Sequence, residues 1–178
     1  MLFDNQFQSH HVSLLAAMFL VAVTLGGCST RMQGAMALGS EPQRAVELYR
    51  QALAENPDSA RTRIQLGKAL VQHGLYDEAR QRLTEALNVL PDDPEAQLYR
   101  DLSELGSSGQ SGALGRLMAY APYQKQKLAI VVRTEAARLR IRSDLSDTDV
   151  IRRMENAYRR GMQEEKKIER RSLNGFAD

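Results

Sequence analysis

The chain is predicted to be all-α: a short solenoid of stacked helical hairpins continued by a basic helical extension. Two observations carry this. Laid against itself at an offset of 34 residues, "AVELYRQALAENP" (Ala45–Pro57) falls on "ARQRLTEALNVLP" (Ala79–Pro91), pairing Ala45 with Ala79, Tyr49 with Leu83, Ala52 with Ala86, Leu53 with Leu87 and Pro57 with Pro91. A repeat of this period built from two helices marks a helical solenoid. Further along, Val150, Ile151, Met154, Tyr158 and Met162 recur at helical spacing, which places one apolar stripe on a long helix.

The elements follow in chain order. "SEPQ" opens the first clear helix, with Ser40 as N-cap and Pro42 in the first turn, where a missing N–H costs nothing. Its antiparallel partner falls on the shorter "STRMQGAMALG". One complete unit spans 60–91, "ARTRIQLGKALVQHGLYDEARQRLTEALNVLP": Gly67 and Ala79 are small where the two helices cross, Gly74 supplies the turn, Tyr76 and Leu83 fill the groove, and Pro91 ends the second helix. "DPEAQLYRDLSELG" starts another helix in register and then drifts from the pattern. "GSSGQSG" (106–112) is predicted to be a hinge. In "PYQKQKLAIVVRTEAARLRIRS", Leu128, Val131, Val132 and Leu139 share one side of a helix, while "LAIVV" taken alone suits a strand equally well. Ser146 with Asp149 forms a cap of the capping-box kind at the head of the last helix. These two tail helices are expected to fold back on each other or on the repeats.

The complete unit resembles the tetratricopeptide repeat at Leu66, Gly67, Gly74, Tyr76, Ala79, Leu83, Ala86, Leu87 and Pro91, and the resemblance extends over roughly residues 31–105. Arg63 departs from it, standing where the family often has a bulky aromatic. Asp101 departs as well, standing where the family has glycine; that suits a terminal capping helix with a polar outer face. The resemblance implies that first helices line a concave, peptide-holding surface. Arg61, Ile64, Lys68, Val71 and Gln72 are spaced at i, i+3, i+7, i+10 and i+11 on one helical face, and these are positions through which the family commonly holds peptides. Arg61 and Lys68 suit an acidic side chain or a C-terminal carboxylate; the alternative is an ordinary solvated face.

At the other end, Val12–Thr30 carries no charge, but only "VSLLAAMFLVAV" is densely apolar. A spanning helix needs about 20 such residues, whereas a secretory core needs roughly 7–15 followed by small residues. "LGGC" (25–28) resembles the lipobox of bacterial lipoproteins. This implies removal of residues 1–27 as a signal peptide, acylation of Cys28 and, with Ser29 next, sorting to the outer membrane facing the periplasm. The leading "MLFDNQFQSHH" departs from the usual positive flank, with Asp4 and no Lys or Arg; the alternative is an uncleaved anchor helix. Each acyl methylene contributes about 0.8 kcal/mol to membrane attachment. Cys28 is the single cysteine, so no internal disulfide forms and the expected domain depends on apolar packing.

The expected organisation is therefore a signal peptide (1–27), helical repeats (28–105), a hinge (106–112) and a basic tail (113–178). From 122 to 178 there are 14 Lys and Arg against 9 Asp and Glu, net +5; from 29 to 121 there are 10 against 12, net −2. Arg152, Arg153, Arg159, Arg160, Lys166 and Lys167, with Arg170 and Arg171, suit anionic headgroups or an acidic partner. The alternative is a solvated helix with interleaved Glu155, Glu164, Glu165 and Glu169. The tail lacks an aromatic stacking platform, which argues against nucleic acid. His73 is the one histidine after Cys28, so zinc-ligand spacing is missing; so are a nucleophile elbow and a phosphate-cradling glycine loop. The expectation is a non-enzyme without metal or cofactor: a membrane-anchored scaffold that holds an envelope protein. Its resemblance is to assembly lipoproteins of pilus, secretion or outer-membrane complexes. A regulatory activator of a cell-wall synthase or hydrolase is the alternative.

Overall fold

The computed structural model describes residues 30–174; the expected signal segment 1–27 and Cys28 lie outside the described residues. Eight helices are present among them: α1 (30–37), α2 (Pro42–Glu55), α3 (Ala60–His73), α4 (Tyr76–Val89), α5 (Pro94–Ser108), α6 (Gln110–Met118), α7 (Gln126–Arg140) and α8 (Asp147–Asn174). No strand occurs among the described residues, and "LAIVV" lies within α7. From α2 onward each helix packs on the next; α3 also packs on α5, and α8 returns to pack on α5.

The complete repeat forms as its residues dictate. Ser59 caps α3 by accepting from the Thr62 N–H at 3.2 Å, and Gly74, at φ 82°, ends the helix in the left-handed region, where a Cβ is strained. Gly67 lies where α3 and α4 cross: a Cβ there would stand 2.4 Å from Leu83 Cγ. Asp93 caps α5 through bonds of 3.0 and 2.9 Å from the Glu95 and Ala96 N–H groups, with Pro94 in the first turn. Arg63, in the aromatic's usual place, is half-buried and pairs with Glu85.

Three expectations change. Ser40 is not the cap of α2. Its hydroxyl turns back to the Ala37 carbonyl at 3.4 Å, Glu41 takes the N-cap position without a side-chain bond, and Pro42 holds the first turn as expected. The stretch 106–112 is helical on both sides of a single break at Gly109, φ 89°; Gly106 is small because the Tyr76 ring lies 2.5 Å from where its Cβ would be. Nor is α5 a terminal cap. Asp101 is only 5% exposed, because α6 covers it and supplies Arg116 as a second partner beside Arg100. Burial pushes its carboxyl pKa up, and the two guanidinium groups oppose that shift.

The tail helices fold on each other and on the repeats. Leu128, Val132 and Leu139 of α7 are buried and Val131 is half-buried. Ser146 caps α8, accepting from the Asp149 N–H at 3.1 Å and donating to the Asp149 carboxylate at 2.8 Å. Val150, Ile151, Met154 and Tyr158 enter one continuous core that begins at Ala37. α7 has no cap of its own; Glu165 of α8 accepts from the Lys127 and Leu128 N–H groups at 2.6 and 3.0 Å. Gly161 permits this approach, since a Cβ there would lie 2.8 Å from Leu128 Cα.

Gly161→Ala is expected to lower stability by about 1–3 kcal/mol because backbone must move. Gly115→Ala, at a helical position with open space around it, is expected to raise stability by about 0.5–1 kcal/mol. Urea unfolding of both variants checks the contrast.

Candidate protein-interaction groove

Because α3, α4 and α5 alternate in direction, α3 and α5 run side by side and parallel, and their facing side chains are paired. Arg61 meets Asp93 at 2.8 Å. Lys68 and Gln65 converge on Glu95 at 2.7 and 3.0 Å, and the Lys68 ammonium lies 5.3 Å from the centre of the Tyr99 ring, within range of a cation–π attraction. Across this pair of helices runs α8. Its Glu155 accepts from the Tyr99 hydroxyl at 2.9 Å and from the Gln72 amide at 3.0 Å.

Of the five residues expected on the concave face, three are set towards this polar seam: Arg61, Lys68 and Gln72. Ile64 and Val71 are instead 0% and 2% exposed. They share the helical face, but that face is the one on which neighbouring helices close, so both are core residues. The sequence reading missed Asp93, Glu95, Tyr99, Glu155 and Tyr158. A signal existed for the first two: the acids flanking Pro94 open the next first helix, one repeat on from Ser59 and Arg61.

Burial pushes the Tyr99 phenol pKa well up, and the Glu155 carboxylate beside it adds to the rise. Tyr158 is raised chiefly by burial, with Glu95 and Asp93 contributing. Tyr120, whose hydroxyl donates to the Pro94 carbonyl at 2.8 Å, is raised for the same reason. Two neutral phenols therefore tie neighbours to α5: Tyr99 holds α8 through Glu155, and Tyr120 holds the segment after α6 to Pro94.

Beside the seam, Gln72, His73, Tyr76, Ile151, Arg152 and Glu155 border an open groove of about 470 Å³. The basic residues of α8 divide into two sets. Arg152, Arg160 and Lys167 pair with Asp149, Glu135 and Glu164, and Arg159 donates to Asn156. Arg153 and Lys166 make no ion pair among the described residues, and all six are exposed. Among the described residues no three His, Cys, Asp or Glu side chains are grouped to hold a metal ion. None of the described helices is long and apolar enough to cross a membrane.

With this seam between alternate helices of a hairpin array, residues 36–102 match the family model of the tetratricopeptide repeat. Residues 36–102 are tetratricopeptide repeats. The match runs from the end of α1 into α5, leaving α6 to α8 outside the tetratricopeptide region, although they share its core. No curated protein and no solved structure matches the chain significantly. Tetratricopeptide repeats serve as protein-interaction scaffolds.

The tyrosines generate a pH prediction. Phenols whose folded pKa lies above the ordinary 10.0 contribute stability that is fully present below pH 10 and is lost as pH rises through the folded values. Alkaline titration followed at the tyrosinate absorbance is expected to show a cooperative step coincident with loss of helical circular dichroism. A gradual, unfolding-independent titration of all the tyrosines is the opposite outcome.

Proposed function

We propose that this protein is a lipid-anchored scaffold of the bacterial cell envelope. Acylated Cys28 holds it to the outer membrane facing the periplasm, and the tetratricopeptide array seats a protein of an envelope assembly such as a pilus, a secretion channel or an outer-membrane complex. The observation that carries the interaction reading is the seam itself: Arg61, Lys68 and Gln72 stand in a row between parallel helices, each already engaged with a carboxylate. A partner presenting acidic side chains exchanges for those carboxylates. The anchor reading is supported by "LGGC" behind a short apolar core.

Glu155 then acts as an internal substitute for part of the ligand. Its hydrogen bonds, at roughly 1.5–3 kcal/mol each for a charged acceptor, are weaker than the combined burial of Val150, Ile151, Met154 and Tyr158, at about 1.5–3 kcal/mol apiece. Losing Glu155 therefore frees Gln72 and Tyr99 without releasing α8.

Crosslinking and co-purification from membranes is expected to recover one partner with the native chain, several-fold more with Glu155→Ala, and several-fold less with Arg61→Ala combined with Lys68→Ala. Equal recovery by all three removes the seam from the function. Cys28→Ser is expected to abolish fatty-acid labelling and to shift the protein out of the washed membrane fraction; undiminished labelling contradicts the anchor.

A further inference from the structure

Thr30 and the end of α8 lie on the same side of the fold. Thr30, the first described residue of α1, donates to Glu55 at the end of α2, at 3.4 Å. α3 begins a few residues later, and α5 begins beside it through the Arg61–Asp93 pair. α8 starts at the opposite side, where Gln110 at the head of α6 holds the Leu145 carbonyl and the Asp147 carboxylate at 2.9 and 2.8 Å. It then runs back towards the heads of α3 and α5. Glu165 reaches the start of α7, and the turn just before α7 is fixed to the head of α5 by Tyr120. From Lys166 onward α8 has left the body of the protein, and 166–173 is exposed throughout. At 1.5 Å per residue the overhang extends for about 13 Å.

Its composition is one-sided. Lys166, Lys167, Arg170 and Arg171 stand against Glu169 alone, and Ile168 and Leu173 are 43% and 68% exposed. Lys167 has an ion pair with Glu164; the other three cations make no ion pair among the described residues. The last apolar residue of α8 packed on the core is Met162, so packing in this chain does not account for the overhang.

We propose that the overhang of α8 docks on the anionic headgroups of the bilayer, as a second attachment beside Cys28. The inference rests on the anchor reading for its orientation: an acyl group two residues before Thr30 brings that side of the fold against the membrane surface, where the overhang projects. Cations lie at the headgroup phosphates while Ile168 and Leu173 enter the interface. The acyl chains at Cys28 supply the attachment, and the basic overhang adds about 1 kcal/mol per cation near an anionic surface and orients the fold on it.

The chain from Ser29 onward retains every core residue and carries neither acyl group nor signal segment. It is expected to co-sediment with vesicles of phosphatidylcholine containing phosphatidylglycerol, to ignore phosphatidylcholine alone, and to lose binding as salt is raised. Replacing Lys166, Lys167, Arg170 and Arg171 with Gln is expected to weaken partitioning on the order of fivefold for each cation, with the thermal midpoint unchanged because none of the four is packed. Undiminished binding by this variant, equal binding to neutral vesicles, or binding to soluble polyglutamate but not to anionic vesicles overturns the proposal. Fatty-acid labelling of the native chain separates the two readings. Labelled Cys28 with no vesicle binding leaves the anchor and removes the docking surface; unlabelled Cys28 with anionic binding does the reverse.

Discussion

Helical hairpins in a short stack have two faces, and at this length neighbouring repeats cover only one of them. The other must be shielded by something, and here α8 does it. Val150, Ile151, Met154 and Tyr158 join a core that runs from Ala37 through α7, while Glu155 satisfies Tyr99 and Gln72 at its edge. Nearly every other feature follows from seating that helix. Gly161 is small so that α7 can lie against it, Glu165 caps α7, and Gln110 fixes the loop from which α8 starts. Even the buried carboxylate of Asp101 belongs to the same chain of consequences, since the α6 that neutralises it leads into the hairpin that carries α8.

How much of this was written in the sequence depends on how local the cause is. The 34-residue offset, Gly67 at a crossing and Gly74 in a turn each act within one hairpin, and the structure places them as the spacing implies. Ser146 with Asp149 is likewise local and holds. Ser40 shows the limit even of short-range reasoning: its hydroxyl donates to the carbonyl of Ala37 instead of accepting from an N–H of α2, and Glu41 takes the N-cap position. The stretch 106–112 failed for another reason: glycine signals either a flexible backbone or a close approach, and composition does not distinguish them. Only the position of the Tyr76 ring does.

The seam was half legible. Helical periodicity put Arg61, Ile64, Lys68, Val71 and Gln72 on one face, but it does not say which part of that face meets solvent. Ile64 and Val71 went to the core while the polar three stayed at its rim. The partners of Arg61 and Lys68 open the next repeat, but that of Gln72 lies 83 residues away in α8, a separation that a repeat period does not encode. Charge asymmetry did announce that the tail is basic; it gave no hint that one end of α8 closes the core while the other projects beyond it.

Hydrogen–deuterium exchange resolved along the chain bears most directly on the seating of α8. Amides of residues 150–162 are expected to exchange as slowly as those of α5, because opening them requires opening the shared core, while 166–174 exchanges within the shortest time resolved. Fast exchange along the whole of α8, with α3 and α5 still protected, would contradict the account, since the concave face would then be open and its core would end without the helix.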